Sequence, residues 1–173
     1  MRLAQFDASA MAAFEGSVAG ALRSFGVAIV LAPLYALEVA IDPANRLIGW
    51  DRALLVSGGV YLARWLVFPI LLVLLAGPLG YWSKLPRYIA VSNWSRIIVA
   101  AVMLPFVVID ALSGHLGSPA VVVLFFVARS YVIMLEWFIA NQAFGRDTLF
   151  AVQLVVVQQL LDLLIEKLSI LFL

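Results

Sequence analysis

The run LLVSGGVYLARWLVFPILLVLLA, residues 54–76, decides the fold class. It carries a single charge, Arg64, over 23 residues. A helix rising about 1.5 Å per residue needs about 20 apolar residues to cross a hydrocarbon core about 30 Å thick. A membrane strand would alternate apolar and polar residues over about ten positions. This run is continuous, so it predicts a transmembrane helix, and Pro69 within it removes a backbone hydrogen bond and predicts a kink.

Working outward, the same reading returns four further spans, at about 18–41, 88–112, 119–140 and 148–172, with Pro33 and Pro105 inside two of them. Turn-forming residues separate them: Asp42-Pro43-Ala44-Asn45, Gly77-Pro78-Leu79-Gly80, Ser113-Gly114 to Pro119, and Asn141 to Asp147 with Gly145. The expected fold is an all-α integral membrane protein, a bundle of about five transmembrane helices forming a single membrane domain over residues 1–173. Before the first span, Phe6, Ala10, Phe14, Val18 and Leu22 recur near helical spacing, which predicts an amphipathic interfacial helix from Leu3 to about Ser17 within residues 1–17. Arg2, Gln5, Asp7, Ser9 and Glu15 interrupt any apolar run there, so a cleaved secretory signal is not expected.

Composition excludes a water-covered globule: 65% of residues are apolar and 12% charged, against about 25% charged in soluble domains. A mean hydropathy of +1.11 makes lipid the solvent. The net charge of +1 supplies no basic field, so nucleic acid is not an expected partner. With no cysteine, disulfides, thiolate catalysis and cysteine-ligated metals are excluded. The single histidine, His115, lies in the turn Ser113-Gly114-His115-Leu116-Gly117-Ser118-Pro119, where one imidazole makes no metal site. Neither a metal nor another cofactor is expected. No phosphate loop, His-Glu helix motif, nucleophile elbow or dinucleotide fingerprint is present, and the loops are short, so catalysis is not expected.

Loop charges orient the bundle. Arg2, Arg23, Lys84, Arg87 and Arg146 fall on one side, and Arg46, Arg52 and Lys167 on the other, which places the N-terminus in the cytoplasm and the C-terminus outside. Trp50, Tyr81, Trp82 and Tyr88 near span ends suit an aromatic belt. Trp82, Lys84 and Arg87 form a candidate contact for a lipid headgroup, although the orientation rule alone also accounts for the two cations. Ser57-Gly58-Gly59 reads as a helix-packing position open to close backbone approach.

The most informative residues are the charges inside the spans: Glu38, Arg64, Arg96, Asp110, Arg129, Glu136, Asp162 and Glu166. Each costs about 2.5–3.5 kcal/mol at a helix centre, so each should face the bundle and find a partner. They lie on polar stripes: Ser57, Tyr61 and Arg64; Ser92 and Arg96; Arg129 and Glu136; and, clearest, Gln158, Asp162, Glu166 and Ser169 on the last helix. Antiparallel helices put Arg129 and Asp162 within about 6 Å in depth, and Arg96 and Glu136 within about 5 Å. The expected pairs are therefore Arg96 with Glu136, and Arg129 or Arg64 with Asp162. Such pairs either fix helix register or line a path for an ion, proton or lipid headgroup. The near balance of arginines and carboxylates, without glycine-broken helix pairs, favours register.

The stretch Tyr88-Ile89-Ala90-Val91-Ser92-Asn93-Trp94-Ser95-Arg96, with Arg64-Trp65 and Phe68-Pro69 before it, resembles a group of small uncharacterised proteobacterial inner-membrane proteins with an Asn-Trp-Ser motif. Five spans with the N-terminus inside also resemble, by architecture, the YIP family of Rab-interacting membrane proteins. The long cytoplasmic N-terminal region of its eukaryotic members is missing here, so their trafficking role does not carry over. The resemblance implies the bacterial inner membrane. The expected function is a non-catalytic accessory or scaffold subunit, its polar last helix covered by a larger complex. The alternative is a small transporter or lipid-handling protein that uses the intramembrane charges. Expected partners are membrane lipid and other membrane subunits or a second copy.

Overall fold

In the absence of water each span must close its own backbone hydrogen bonds, which leaves helices as the solution for these continuous apolar runs. The computed structural model has that form, with no strand among the described residues. Described are residues 2–41, 49–113, 118–145 and 147–170, with the backbone alone over 110–113. The first and third loops with Arg46 and His115, the side chain of Asp110, Arg146 and the end of the last span lie outside the described residues.

The helices are α1 (Val18–Ser24), α2 (Gly26–Ile41), α3 (Trp50–Leu79), α4 (Leu85–Ser113), α5 (Pro119–Ala143) and α6 (Thr148–Ile170). α1 and α2 are two parts of one span, Val18–Ile41, joined at Phe25, and each of the other four spans by itself. Ser17 starts α1 by accepting from the Gly20 amide at 3.0 Å. α3 overshoots the apolar run at both ends and measures about 45 Å over its 30 residues. Hydropathy marks the hydrocarbon boundary, whereas the backbone ladder runs on until Gly80, at φ 70, closes it with the Tyr81 amide on the Ala76 carbonyl at 3.0 Å.

The side of the bundle that carries the start of α1, the α3–α4 turn and the α5–α6 turn is called proximal below, and the other side distal. α6 packs between α5 and α3; α4 packs against α5 on one flank and the first span on the other; α2 also touches α3. Direct packing of α3 on α4 is slight, so α3, α6, α5 and α4 surround a central space. Proximally an aromatic cluster ties the turns: Tyr81 lies 4.6 Å from Phe150, and Phe144 lies 5.1 Å from Tyr88.

Two proline turns are held from outside. Pro33 removes the donor for the Ile29 carbonyl, and the Tyr61 hydroxyl donates to the neighbouring Ala28 carbonyl. Pro69 does the same to Trp65, and Arg96 donates to the neighbouring Arg64 carbonyl at 3.1 Å.

The expected amphipathic helix over Leu3–Ser17 is replaced by two 3-10 turns, Arg2–Gln5 and Ala8–Ala13. Phe6 at φ 57 and Asp7, which accepts from the Ser9 amide at 2.9 Å, interrupt the helix between them. Leu3 and Met11 are buried against the bundle, Phe6 packs edge-on to Tyr131 and Phe138, and the Tyr131 hydroxyl donates to the Ala4 carbonyl at 2.7 Å. Of the apolar period, Phe6, Ala10 and Phe14 pack on the core, whereas Val18 and Leu22 stay exposed.

Candidate functional site

The central space is a cavity of about 420 Å³ lined by α3, α4, α5 and α6. Six of the eight charged residues singled out in the spans line it, Arg64, Arg96, Arg129, Glu136, Asp162 and Glu166; Glu38 does not, and the side chain of Asp110 lies outside the described residues. Helical geometry explains the convergence, since Arg129 and Glu136, and Asp162 and Glu166, recur on single faces of α5 and α6. Measured from the proximal helix ends, Glu136 lies about 10 Å deep, Arg96 about 16 Å, Asp162 about 21 Å and Glu166 about 27 Å. The charges form a ladder along the membrane normal.

Their partners differ from the expected ones. Arg96 reaches the Arg64 carbonyl instead of Glu136, and its guanidinium lies 4.6 Å from the Trp65 ring centroid. Arg129 donates to the side-chain oxygen of Gln159 instead of Asp162. Arg64 pairs with Glu166 at 3.4 Å, one turn beyond Asp162. Glu136 accepts from Gln159 at 2.8 Å and from Gln158 at 3.2 Å. Gln159 therefore bridges Arg129 and Glu136, taking a hydrogen bond through its oxygen and giving one through its nitrogen. The helix spacing identified the polar face, but Gln159 carries no charge and went unnoticed beside Gln158. Its three-residue spacing from Asp162 was the available signal.

Two groups remain open. Arg64 Nε is buried without an acceptor. Asp162 has no hydrogen bond and no ion pair within 4 Å among the described residues, although Arg96, Arg64 and Arg129 act on it electrostatically. Ser92 and Asn93 add polar groups on α4. Asn93 is buried and donates to Ser24 Oγ at 2.8 Å, which pins α4 to α1. In the Asn-Trp-Ser stretch, Ser95 turns back on its own helix and Trp94 faces outward, 48% exposed.

Trp82, Lys84 and Arg87 each have a different neighbour. Lys84 donates to the Phe144 carbonyl at 3.1 Å and closes the α5 end, Arg87 lies against Gly16, and Trp82 leans on Gly77. Tyr88 is not a belt residue: it is 2% exposed and packs between Phe68 and Phe144. A side chain added at Gly58 or Gly59 would meet nothing within 4 Å, so these glycines are not close-packed within the chain. No cluster of three metal-ligating side chains occurs among the described residues.

No protein-family model, curated protein or solved structure matches the chain.

Proposed function

We propose that this integral membrane protein binds, within the bilayer, a small charged group that belongs to a solute or a lipid headgroup, and that it is a small carrier or lipid-handling protein of a bacterial inner membrane, with the proximal side cytoplasmic. One observation carries the reading. Three arginines and three carboxylates surround one cavity of about 420 Å³, yet among the described residues they make a single ion pair. Charges whose role is register alone gain most by direct pairing, because an unpaired charge in hydrocarbon is costly. Here they stand around a space with one arginine donor and one carboxylate unused.

The accessory-subunit reading drew on short loops, the lack of a catalytic motif and a polar face of the last helix formed by Gln158, Asp162, Glu166 and Ser169. Gln158, Asp162 and Glu166 of that face line this chain's own cavity, with Gln159 beside them, which supports an internal use of the charges; Ser169 does not line it.

The test is transport or scrambling by the purified chain in proteoliposomes, with a panel of charged solutes and headgroup-labelled lipids. Arg129→Gln and Asp162→Asn should keep the helical spectrum and lose at least tenfold in rate. Equal rates in wild type and both variants, or no activity with any probe, would sink the proposal.

A further inference from the structure

We infer that the group bound in the cavity is the head of an amphiphile whose hydrocarbon chain lies in the proximal groove between α3 and α6; this rests on the reading above and names its ligand class. A second cavity, of about 370 Å³, adjoins the first, and Phe68 and Leu72 line both. Its other walls are almost entirely apolar, among them Leu75, Leu154 and Val157. On α3 and α6 the groove lies proximal to the polar cavity, whereas on α4 and α5 the polar cavity itself reaches proximally as far as Tyr88 and Ile139. On α6 the groove is lined by residues between Phe150 and Val157 and the polar cavity by residues between Gln158 and Glu166.

The dimensions suit one chain. From Phe68 to Leu79 the groove follows α3 for about 16 Å, close to half of a hydrocarbon core about 30 Å thick. With the head beside Arg64, Asp162 and Glu166 and the chain running proximally along α3 and α6, the molecule has the direction of a lipid of the distal leaflet, lowered into the protein.

The polar cavity selects the head. Arg64 Nε is a buried donor without an acceptor, and Arg96 and Arg129 stand beside it with only neutral partners, so an anion such as a phosphate is matched. Asp162, without a hydrogen bond among the described residues and at the depth of Arg64 and Arg129, matches a primary amine. A phosphoethanolamine head on a hydrocarbon chain satisfies both sets and the groove together.

The experiment uses the full chain in phosphatidylcholine nanodiscs with a phosphatidylethanolamine probe that carries a photoreactive diazirine near the end of one acyl chain. Cross-linked peptides are mapped, with and without water-soluble glycerophosphoethanolamine as competitor. The expected result is labelling concentrated on residues lining the groove in α3 and α6. It should fall at least fivefold in Val157→Trp or in Leu75→Phe, two variants from different helices, each checked for its helical spectrum. Competitor should lower the same labelling in wild type, and Arg129→Gln should lose it. Competition without groove labelling, or groove labelling unchanged in both bulky variants, overturns the amphiphile and leaves the polar-group reading standing. Labelling unaffected by competitor and by Arg129→Gln overturns both.

Discussion

Replacing Gln159 by leucine tests the internal arrangement of the cavity more sharply than removing any charge. Gln159 accepts from Arg129 and donates to Glu136 at 2.8 Å, so the change strips one hydrogen bond from each of two charged groups. Hydrogen bonds between membrane helices average about 0.6 kcal/mol and reach about 1.7, and bonds to charged groups sit at the upper end. Two of them put the cost of Gln159→Leu at about 3 kcal/mol. Gln158→Leu removes one longer bond, at 3.2 Å, and should cost about 1 kcal/mol or less. Asp162→Asn removes no hydrogen bond and no close ion pair, and the lost attraction of the arginines is offset by no longer desolvating a carboxylate, so it should fall within about 0.5 kcal/mol of wild type. The assay is reversible unfolding in mild-detergent micelles titrated with sodium dodecyl sulfate, followed by tryptophan fluorescence. If Asp162 were instead locked to Arg129 or Arg64, removing one partner of a buried pair would cost about 3–5 kcal/mol and Gln159 would be a spectator. That inverted ranking would refute the bridge.

Other positions separate structural from lipid-facing roles in the same assay. Asn93→Ala breaks the buried bond to Ser24 and should cost about 1–2 kcal/mol, whereas Trp94→Leu, next to it but facing outward, should stay within about 0.5 kcal/mol. Trp65→Leu removes the ring beneath the Arg96 guanidinium and should cost about 1 kcal/mol or more, since packing is lost with it. Gly80→Ala forces a side chain into left-handed backbone at φ 70 and should cost about 1 kcal/mol, read as a lowered unfolding midpoint.

The spans were legible because lipid leaves the backbone no alternative: a continuous apolar run of sufficient length must be a helix, and the described residues hold five helices long and apolar enough to cross a membrane. The set of residues around the cavity was legible for a related reason, since period 3.6 assigns each charge a face and antiparallel order assigns it a depth. What spacing does not carry is rotamer and competition. Arg96 could have crossed to Glu136, but the turn loosened by Pro69 offers a carbonyl and Trp65 a ring on the way. Arg129 meets an amide one turn before it would meet Asp162. The N-terminal segment misled for a different reason: its helical period is real, yet left-handed Phe6 and the Asp7 cap break the ladder, and Phe6 packs on α5 instead.

Six ionisable side chains at about 2.5–3.5 kcal/mol each would oppose insertion by about 15–20 kcal/mol if nothing offset them, more than the stability of a typical domain. Three arginines and three carboxylates have an obvious offset, three ion pairs, and among the described residues the bundle makes one, at 3.4 Å and with the Glu166 side chain 57% exposed. The remainder of the offset comes from Gln158, Gln159, the Arg64 carbonyl and the Trp65 ring, which hold the charged groups in place without neutralising them. A ligand that carries both charges completes the missing pairs, so its binding and the stability of the bundle are one linked quantity. At a hundredfold excess over Kd the gain is about 2.7 kcal/mol. Glycerophosphoethanolamine should therefore raise the detergent unfolding midpoint of the wild type and leave that of Arg129→Gln unmoved. A midpoint that rises equally in both would mean that the ligand acts elsewhere on the bundle, and that the charged cavity is structural after all.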